Sequence, residues 1–129
     1  FTLRDLDNPT VAAALRSLCV LDLVANATDR KGGHCLIDGE DRVWAIDNGL
    51  SFHEEPKVRT VLWDFGGRPF DAELAQALEQ LTSDGLPEAF KDLLDRDERS
   101  ATLRRARALL SGRTFPVDPT GHGYPWPLV

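Results

Sequence analysis

The chain has 129 residues, of which 42% are hydrophobic and 28% are charged. This length suits one domain, 1–129, that can bury a core, and the composition is ordinary for a globular protein. The net charge of −6 argues against a surface that binds nucleic acid or anionic membranes, because such surfaces are basic. No apolar run approaches the roughly 20 residues that cross a bilayer. We therefore expect no transmembrane segment and no nucleic-acid partner.

The first predicted element is a helix that runs from position 9 to about position 26. Asn8 is a typical N-cap, and proline at position 9 suits the first helical position. The apolar residues are so dense that the helix should be buried. Asp22 is the polar exception, and it could either bond nearby amides as a core residue or orient the loop that follows the helix.

Two short strand-like runs follow at positions 35–38 and 42–46. They flank Gly39-Glu40-Asp41, and a glycine in so short a connection predicts a β-hairpin. His34 would lie at the entrance of this hairpin and Asp47 at its exit. The two side chains could therefore approach one another and share a magnesium ion.

The remaining elements are an irregular aromatic segment at 50–70 and three helices at about 71–81, 87–94 and 98–110. The arginines of the last helix, among them Arg105, are expected on its solvated face. The Pro-rich tail from Phe115 to Pro127 should lie extended over the surface. These elements predict a mainly helical α+β domain with one small β-hairpin.

The two cysteines, Cys19 and Cys35, are too few for a disulfide framework and lack metal-site partners at finger spacing. We expect both to be buried, reduced thiols. This expectation favours a cytoplasmic location.

The strongest chemical pattern is the loop Asp29-Arg30-Lys31-Gly32-Gly33-His34, followed by the turn Asp47-Asn48-Gly49. Protein kinases place a catalytic Asp and a metal-binding Asn five residues apart, and a second metal-binding Asp then opens a D-F-G turn. Asp29 and His34 have this spacing, and Asp47 follows the predicted hairpin. The layout predicts transfer of the γ-phosphate of ATP to a hydroxyl, with His34 at the position of the asparagine.

The predicted roles follow from the chemistry of phosphoryl transfer. Asp29 would be the catalytic base, Arg30 would pair with a carboxylate or a phosphate, and Lys31 would approach the transferred group. Asp47 would bridge Mg²⁺ to phosphate oxygens. His34 would ligate the metal, with some preference for Mn²⁺, or contact phosphate or a metal-bound water; a structural histidine is the remaining alternative.

A second aspartate could compete for the metal, because Asp64-Phe65-Gly66 spells the D-F-G turn literally. It lies much farther along the chain from Asp29 than Asp47 does, and no tight hairpin leads into it. We therefore assign the metal to Asp47 and expect positions 63–66 to form a packed loop.

A kinase also needs a Gly-rich loop and a strand lysine before its catalytic loop. The first glycine here is Gly32 and the first lysine is Lys31. We therefore expect the chain to be the C-terminal lobe of a protein-kinase-like fold. Its missing partner would be the N-terminal lobe, without which activity is not expected.

These residues resemble the catalytic core of type II phosphatidylinositol 4-kinases at positions 26–30 and 45–52. They are still more similar to actinobacterial phosphatidylinositol 3- and 4-kinase-like proteins, in which the loop at 29–34, the segment at 57–63 and the closing Pro125-Trp126-Pro127 recur. The resemblance implies a C-terminal kinase lobe with catalytic Asp29, metal-binding Asp47, and ATP and Mg²⁺ as cofactors. Asn26 and Asn48 would lie at the nucleotide.

The acceptor could be an inositol lipid, a small molecule or a protein. A nucleotide-binding pseudokinase or regulatory module without turnover is the main alternative, because His34 replaces the expected asparagine. A binding domain unrelated to kinases, with a coincidental loop, is a third hypothesis.

Overall fold

A computed structural model describes all residues, 1–129, as a small, mainly helical α+β domain. The four helices are α1 (Pro9–Ala25), α2 (Ala72–Asp84), α3 (Phe90–Leu93) and α4 (Arg96–Gly112), and the two strands are β1 (Cys35–Ile37) and β2 (Val43–Ala45). Short 3₁₀ turns occur at Leu3–Asp7, Gly32–His34 and Leu62–Phe65. The predicted mainly helical α+β class with one hairpin is confirmed. None of the helices combines the length and the apolar character that crossing a membrane requires.

Helix α1 is the centre of the core and begins and ends as its sequence predicts. The Asn8 side chain accepts hydrogen bonds from the amides of Thr10 and Val11, which satisfies donors that a helix start leaves free. The helix ends where Asn26 adopts a left-handed conformation with φ of 57°, which asparagine tolerates better than most residues. Apolar side chains on several sides of α1 are buried, including Leu15 and Leu23.

The hairpin pairs β1 and β2 in antiparallel register, with Cys35 opposite Ala45 and Leu36 opposite Trp44. The amide of Ile46 donates to the carbonyl of His34, which extends the pairing by one residue at the open end. Because side chains alternate along a strand, Cys35 faces the core and Leu36 and Trp44 face outward. His34 lies in the 3₁₀ turn just before β1, and its side chain is 16% exposed.

The C-terminal helices close the other side of the core. Asp71 caps α2 by accepting from the amide of Leu74, and Asp95 caps α4 in a reciprocal capping box with Glu98. Helix α2 extends to Asp84, beyond its predicted end, whereas α3 is shorter than predicted. Both cysteines are free and buried as expected.

Two expectations for the C-terminal third hold for most residues but not for Phe115 and Arg105, whereas most of the tail and Arg104 and Arg107 are exposed. The tail does not simply lie on the surface, because Phe115 is 1% exposed and its ring packs against those of Phe65 and Phe70 at centroid distances of 5.6 and 4.8 Å. Arg105 is not on a solvated face. Its guanidinium donates to the carbonyls of Val24, at the end of α1, and of His53, and burial lowers its pKa.

Candidate functional site

The loop after α1 is held against a second extended segment near position 60. The amide of Arg30 donates to the carbonyl of Arg59, and the amide of Val61 donates to the carbonyl of Arg30, both at 3.0 Å. These bonds form a parallel bridge between Arg30 and Thr60. In this extended stretch Arg30 points inward and is buried, whereas Asp29 remains partly exposed.

A buried ion pair anchors the loop to α1. The Nε and Nη2 atoms of Arg30 donate to the carboxylate of Asp22 at 3.1 and 2.9 Å, and the two side chains are only 3% and 1% exposed. The Thr60 hydroxyl also donates to Asp22 at 3.1 Å. Burial raises the pKa of Asp22, and the hydrogen bonds and charge of Arg30 oppose that effect. Asp22 is therefore the residue that orients the loop, the second of its two predicted roles.

The other donors of Arg30 reach the turn that carries Asp47. Nη1 donates to the carbonyl of Ile46 at 2.9 Å, and Nη2 donates to the side-chain oxygen of Asn48. Arg30 thus contacts the residues on both sides of Asp47. Its donors are committed inside the protein, so the geometry gives Arg30 the loop-holding role rather than contact with a phosphate.

Asn26 is also held inside the protein. Its side-chain nitrogen donates to the carbonyls of His53 and Glu55 at 2.8 and 2.6 Å, and its oxygen accepts from the amide of Lys57 at 2.8 Å. The residue is completely buried. Asn26 therefore fastens the segment 53–57 to the end of α1, and no part of its amide faces a ligand.

His34 and Asp47 approach one another at the open end of the hairpin. The Nδ1 atom of His34 lies 2.9 Å from the carbonyl oxygen of Asp29, and Nε2 lies 3.5 Å from Oδ2 of Asp47. A carbonyl can only accept, so we assign the Nδ1 proton to this bond; the Lys31 amide is farther from Nδ1, at 3.4 Å. Nε2 is then the ring nitrogen that faces the carboxylate of Asp47.

Asp29 and Lys31 form the outward rim of the same loop. Their side chains are 33% and 20% exposed, and Oδ2 of Asp29 lies 3.7 Å from Nζ of Lys31. The structure contains no group of three or more histidine, cysteine, aspartate or glutamate residues that could hold a metal ion. His34 and Asp47 thus offer only two potential metal-ligand atoms, one nitrogen and one oxygen.

An exposed apolar surface, which was not expected from the sequence, lies beside this pair. Leu36, Trp44 and Ile46 are about half exposed, and the amide of Ile46 bonds the carbonyl of His34. The sequence signal for this face was the strand itself. Successive side chains of a strand point to opposite faces, so a strand that buries Cys35 turns Leu36 outward. We call the surface formed by Leu36, Trp44 and Ile46 the hairpin platform.

No protein-family model matches this chain, and no solved structure matches it. The chain is 40% identical over 117 residues to Protein Rv2133c of Mycobacterium tuberculosis, a match that covers 88% of this chain and 42% of the relative. The chain therefore spans less than half the length of that relative. The relative's name states no activity, so the likeness does not assign one to this chain.

Proposed function

We propose that this chain is the catalytic-loop lobe of a kinase-like, ATP-dependent phosphotransferase of the phosphatidylinositol 3-/4-kinase-like type. The observation that carries the proposal is the 3.5 Å approach of His34 Nε2 to Asp47 Oδ2, in the loop that also presents Asp29. The approach depends on the hairpin between the two residues and on the hydrogen bond from His34 to the backbone of Asp29. The sequence pattern and the geometry therefore support the same three residues.

Asp29 suits the role of catalytic base because its carboxylate is accessible while its backbone is fixed. An acceptor hydroxyl could reach it from solvent, and a positioned carboxylate can accept or orient the hydroxyl proton. Lys31 adds a positive charge 3.7 Å from this carboxylate, close to where charge would develop on the transferred phosphoryl group.

His34 and Asp47 fit a divalent ion that is also held by nucleotide phosphates and water. Proteins commonly hold Mg²⁺ through one or two carboxylates plus substrate phosphates, and imidazole shifts preference towards Mn²⁺. The bond from His34 Nδ1 to a backbone carbonyl fixes the ring in the way that supports many metal-ligating histidines. When bound, the ion would neutralise charge on the phosphate oxygens.

The hairpin platform suits the flat base of a nucleotide, because ligand sites combine apolar surface with a few polar groups. Its residue Ile46 bonds the backbone of His34 and directly precedes Asp47, so a nucleotide on the platform could direct its phosphates towards His34 and Asp47. An N-terminal lobe would complete the cleft from the opposite side. The acceptor stays open among an inositol lipid, a small molecule and a protein hydroxyl.

The test is ATP turnover by full-length protein with Mg²⁺ or Mn²⁺ and with each acceptor class. We expect Asp29→Asn and Asp47→Asn each to lower turnover by about 10²-fold or more, because each removes a charge that acts on the reacting groups. Asp64→Asn is the matched control, since Asp64 is exposed and opens the literal D-F-G sequence; its turnover should stay within about twofold. Wild-type turnover in both site variants would refute the proposal.

A nucleotide-binding pseudokinase is the second candidate. It is favoured by the imidazole of His34, which stands where kinases carry a metal-binding asparagine. In that case ATP would raise the melting temperature without being consumed, since binding to the native state alone is stabilising. His34→Asn would then create metal-dependent turnover. If His34→Asn instead abolished an existing turnover, the pseudokinase reading would be excluded.

A further inference from the structure

The tail residues 116–129 contact both segments that frame the candidate site. The amide of Gly32, within the catalytic loop, donates to the carbonyl of Leu128 at 2.8 Å, and the amide of Thr60 donates to the carbonyl of Gly123 at 2.8 Å. Both contacts are between backbones distant in sequence. The tail therefore crosses the inner side of the site at two separate points.

The contact with Thr60 is made by a compact loop, residues 118–123, which we call the clasp. Asp118 organises it by accepting from the amide and hydroxyl of Thr120 and, on its other oxygen, from the amide of Gly123 at 2.8 Å. These bonds lower the pKa of Asp118, with the Gly123 amide as the largest cause. The indole of Trp63 also donates to the carbonyl of Gly123 at 2.8 Å.

A side chain at position 123 would force Trp63 or Asp118 to shift. A Cβ atom there would lie 2.7 Å from Nε1 of Trp63 and 2.9 Å from Oδ2 of Asp118, closer than side-chain carbons normally approach such atoms. Gly123 is itself buried. The clasp is thus seated tightly against Trp63 rather than resting on the surface.

From Gly123 a continuous hydrogen-bonded path leads to Ile46 and Asn48, the two neighbours of Asp47. The Thr60 amide bonds Gly123, and the Thr60 hydroxyl bonds Asp22 at 3.1 Å. Asp22 holds Arg30, and Arg30 holds both neighbours of Asp47. Thr60 is fully buried, so solvent cannot replace its contacts.

We infer that the clasp is a positioning element for the site. By fixing Thr60 it fixes Asp22 and Arg30, and these residues set the spacing between the segment of Asp29 and the turn of Asp47. Asp118, Gly123 and Thr60 are positioning residues, since none of them lies among the proposed reacting groups. An effect of the clasp on ATP turnover is expected only if the proposed function is correct. An effect of the clasp on the order of the loop at 28–34 and the turn at 45–50 is expected in either case.

Amide hydrogen exchange of full-length protein tests the inference without requiring activity. Gly123→Ala should open the clasp by the steric clash. Asp118→Asn should loosen it, because an amide oxygen can accept at only one of the two positions that the carboxylate serves. In both variants we expect exchange in peptides covering 28–34 and 45–50 to rise by about tenfold, as local protection is lost.

Asp95→Ala is the matched control, because the capping interactions that it removes join Asp95 only to Glu98 within α4 and include no residue of the clasp or of the path from it. It should lower the melting temperature without a selective rise of exchange in those peptides. Faster exchange at 116–126 in Asp118→Asn with unchanged exchange at 28–34 and 45–50 would overturn the inference.

A second pair of variants, usable even if Gly123→Ala does not fold, tests the link from Thr60 to Asp22 on which the inference depends. Thr60→Val removes the hydroxyl at nearly constant volume and should raise exchange at 45–50, whereas Thr60→Ser keeps the hydroxyl and should behave like wild type. Equal exchange in the two variants would overturn the inference. If full-length protein turns over ATP, Thr60→Val should also raise the metal concentration for half-maximal rate by about tenfold, and Thr60→Ser should not.

Discussion

The buried pair of Asp22 and Arg30 gives the sharpest test of how the loop is held. Asp22→Asn keeps the size of the side chain but removes its charge, and it leaves a guanidinium that is 3% exposed without a counter-ion. Removing one partner of a buried pair costs about 3–5 kcal/mol. A loss of that size would consume a large part of the roughly 5–15 kcal/mol that stabilises a domain.

The matched control is the exposed ion pair of Lys91 and Glu88, whose N–O distance of 2.9 Å equals that of the shortest Arg30–Asp22 contact. Glu88→Gln removes the charge in the same way, but the Glu88 side chain is 84% exposed. Water and salt screen such pairs, so the cost should stay within about 1 kcal/mol. Because the two ion pairs have the same N–O distance but differ in burial, a difference in the cost of the two substitutions is due to desolvation.

Urea unfolding followed by tryptophan fluorescence measures both variants at neutral pH. The double variant Asp22→Leu with Arg30→Met removes both charges and should recover much of the loss, because no unpaired charge remains. If Asp22→Asn were within about 1 kcal/mol of wild type, or the double variant were no more stable than Asp22→Asn, the reasoning from burial would be refuted.

Two further predictions concern the core and the hairpin. Leu78 is 2% exposed, so Leu78→Ala should lower the free energy of unfolding in urea by about 2–5 kcal/mol. Leu93 is 76% exposed, so Leu93→Ala should lower it by less than about 0.5 kcal/mol. Similar losses in the two variants would contradict the assignment of Leu78 to the core. Hydrogen bonds from Trp44 and Arg42 lower the pKa of Asp38 from 3.8 to about 2, so their contribution to hairpin stability is present above pH 3.8 and is lost as the pH falls towards 2. The NMR shift of the Trp44 indole proton should follow this titration, and a midpoint near 3.8 would contradict it.

The elements that the sequence predicted best are those with local signals. Asn8 and Pro9 mark the start of α1, and the glycine in the turn marks the hairpin, because these residues act within a few positions of themselves. The approach of His34 and Asp47 could be predicted in the same way, from the local signal for the hairpin. A hairpin brings the residues at its two ends together wherever the hairpin lies in the fold.

The interactions that escaped prediction are long-range. Arg105 bonds a carbonyl at the end of α1, and Asn26 bonds the backbone near position 55; neither partner can be identified from spacing along the chain. The Pro-rich tail also carries Val, Tyr, Trp and Leu residues, so its sequence does not single out Phe115 as the residue that enters the core. Such contacts depend on tertiary packing, which overrides the local preference for solvent.

The strand-like alternation of the loop explains why the proposed chemistry would depend on the buried pair. In the extended loop Arg30 points inward and Asp29 outward, and in the hairpin Cys35 points inward and Leu36 outward. A slip of one residue would exchange the two faces, burying the carboxylate of Asp29 and exposing the guanidinium of Arg30. The Asp22–Arg30 pair opposes such a slip, because only Arg30 in its present position can satisfy Asp22. A buried pair is weak evidence for stability alone, so we interpret this one as fixing the register in which Arg30 faces inward and Asp29 faces outward.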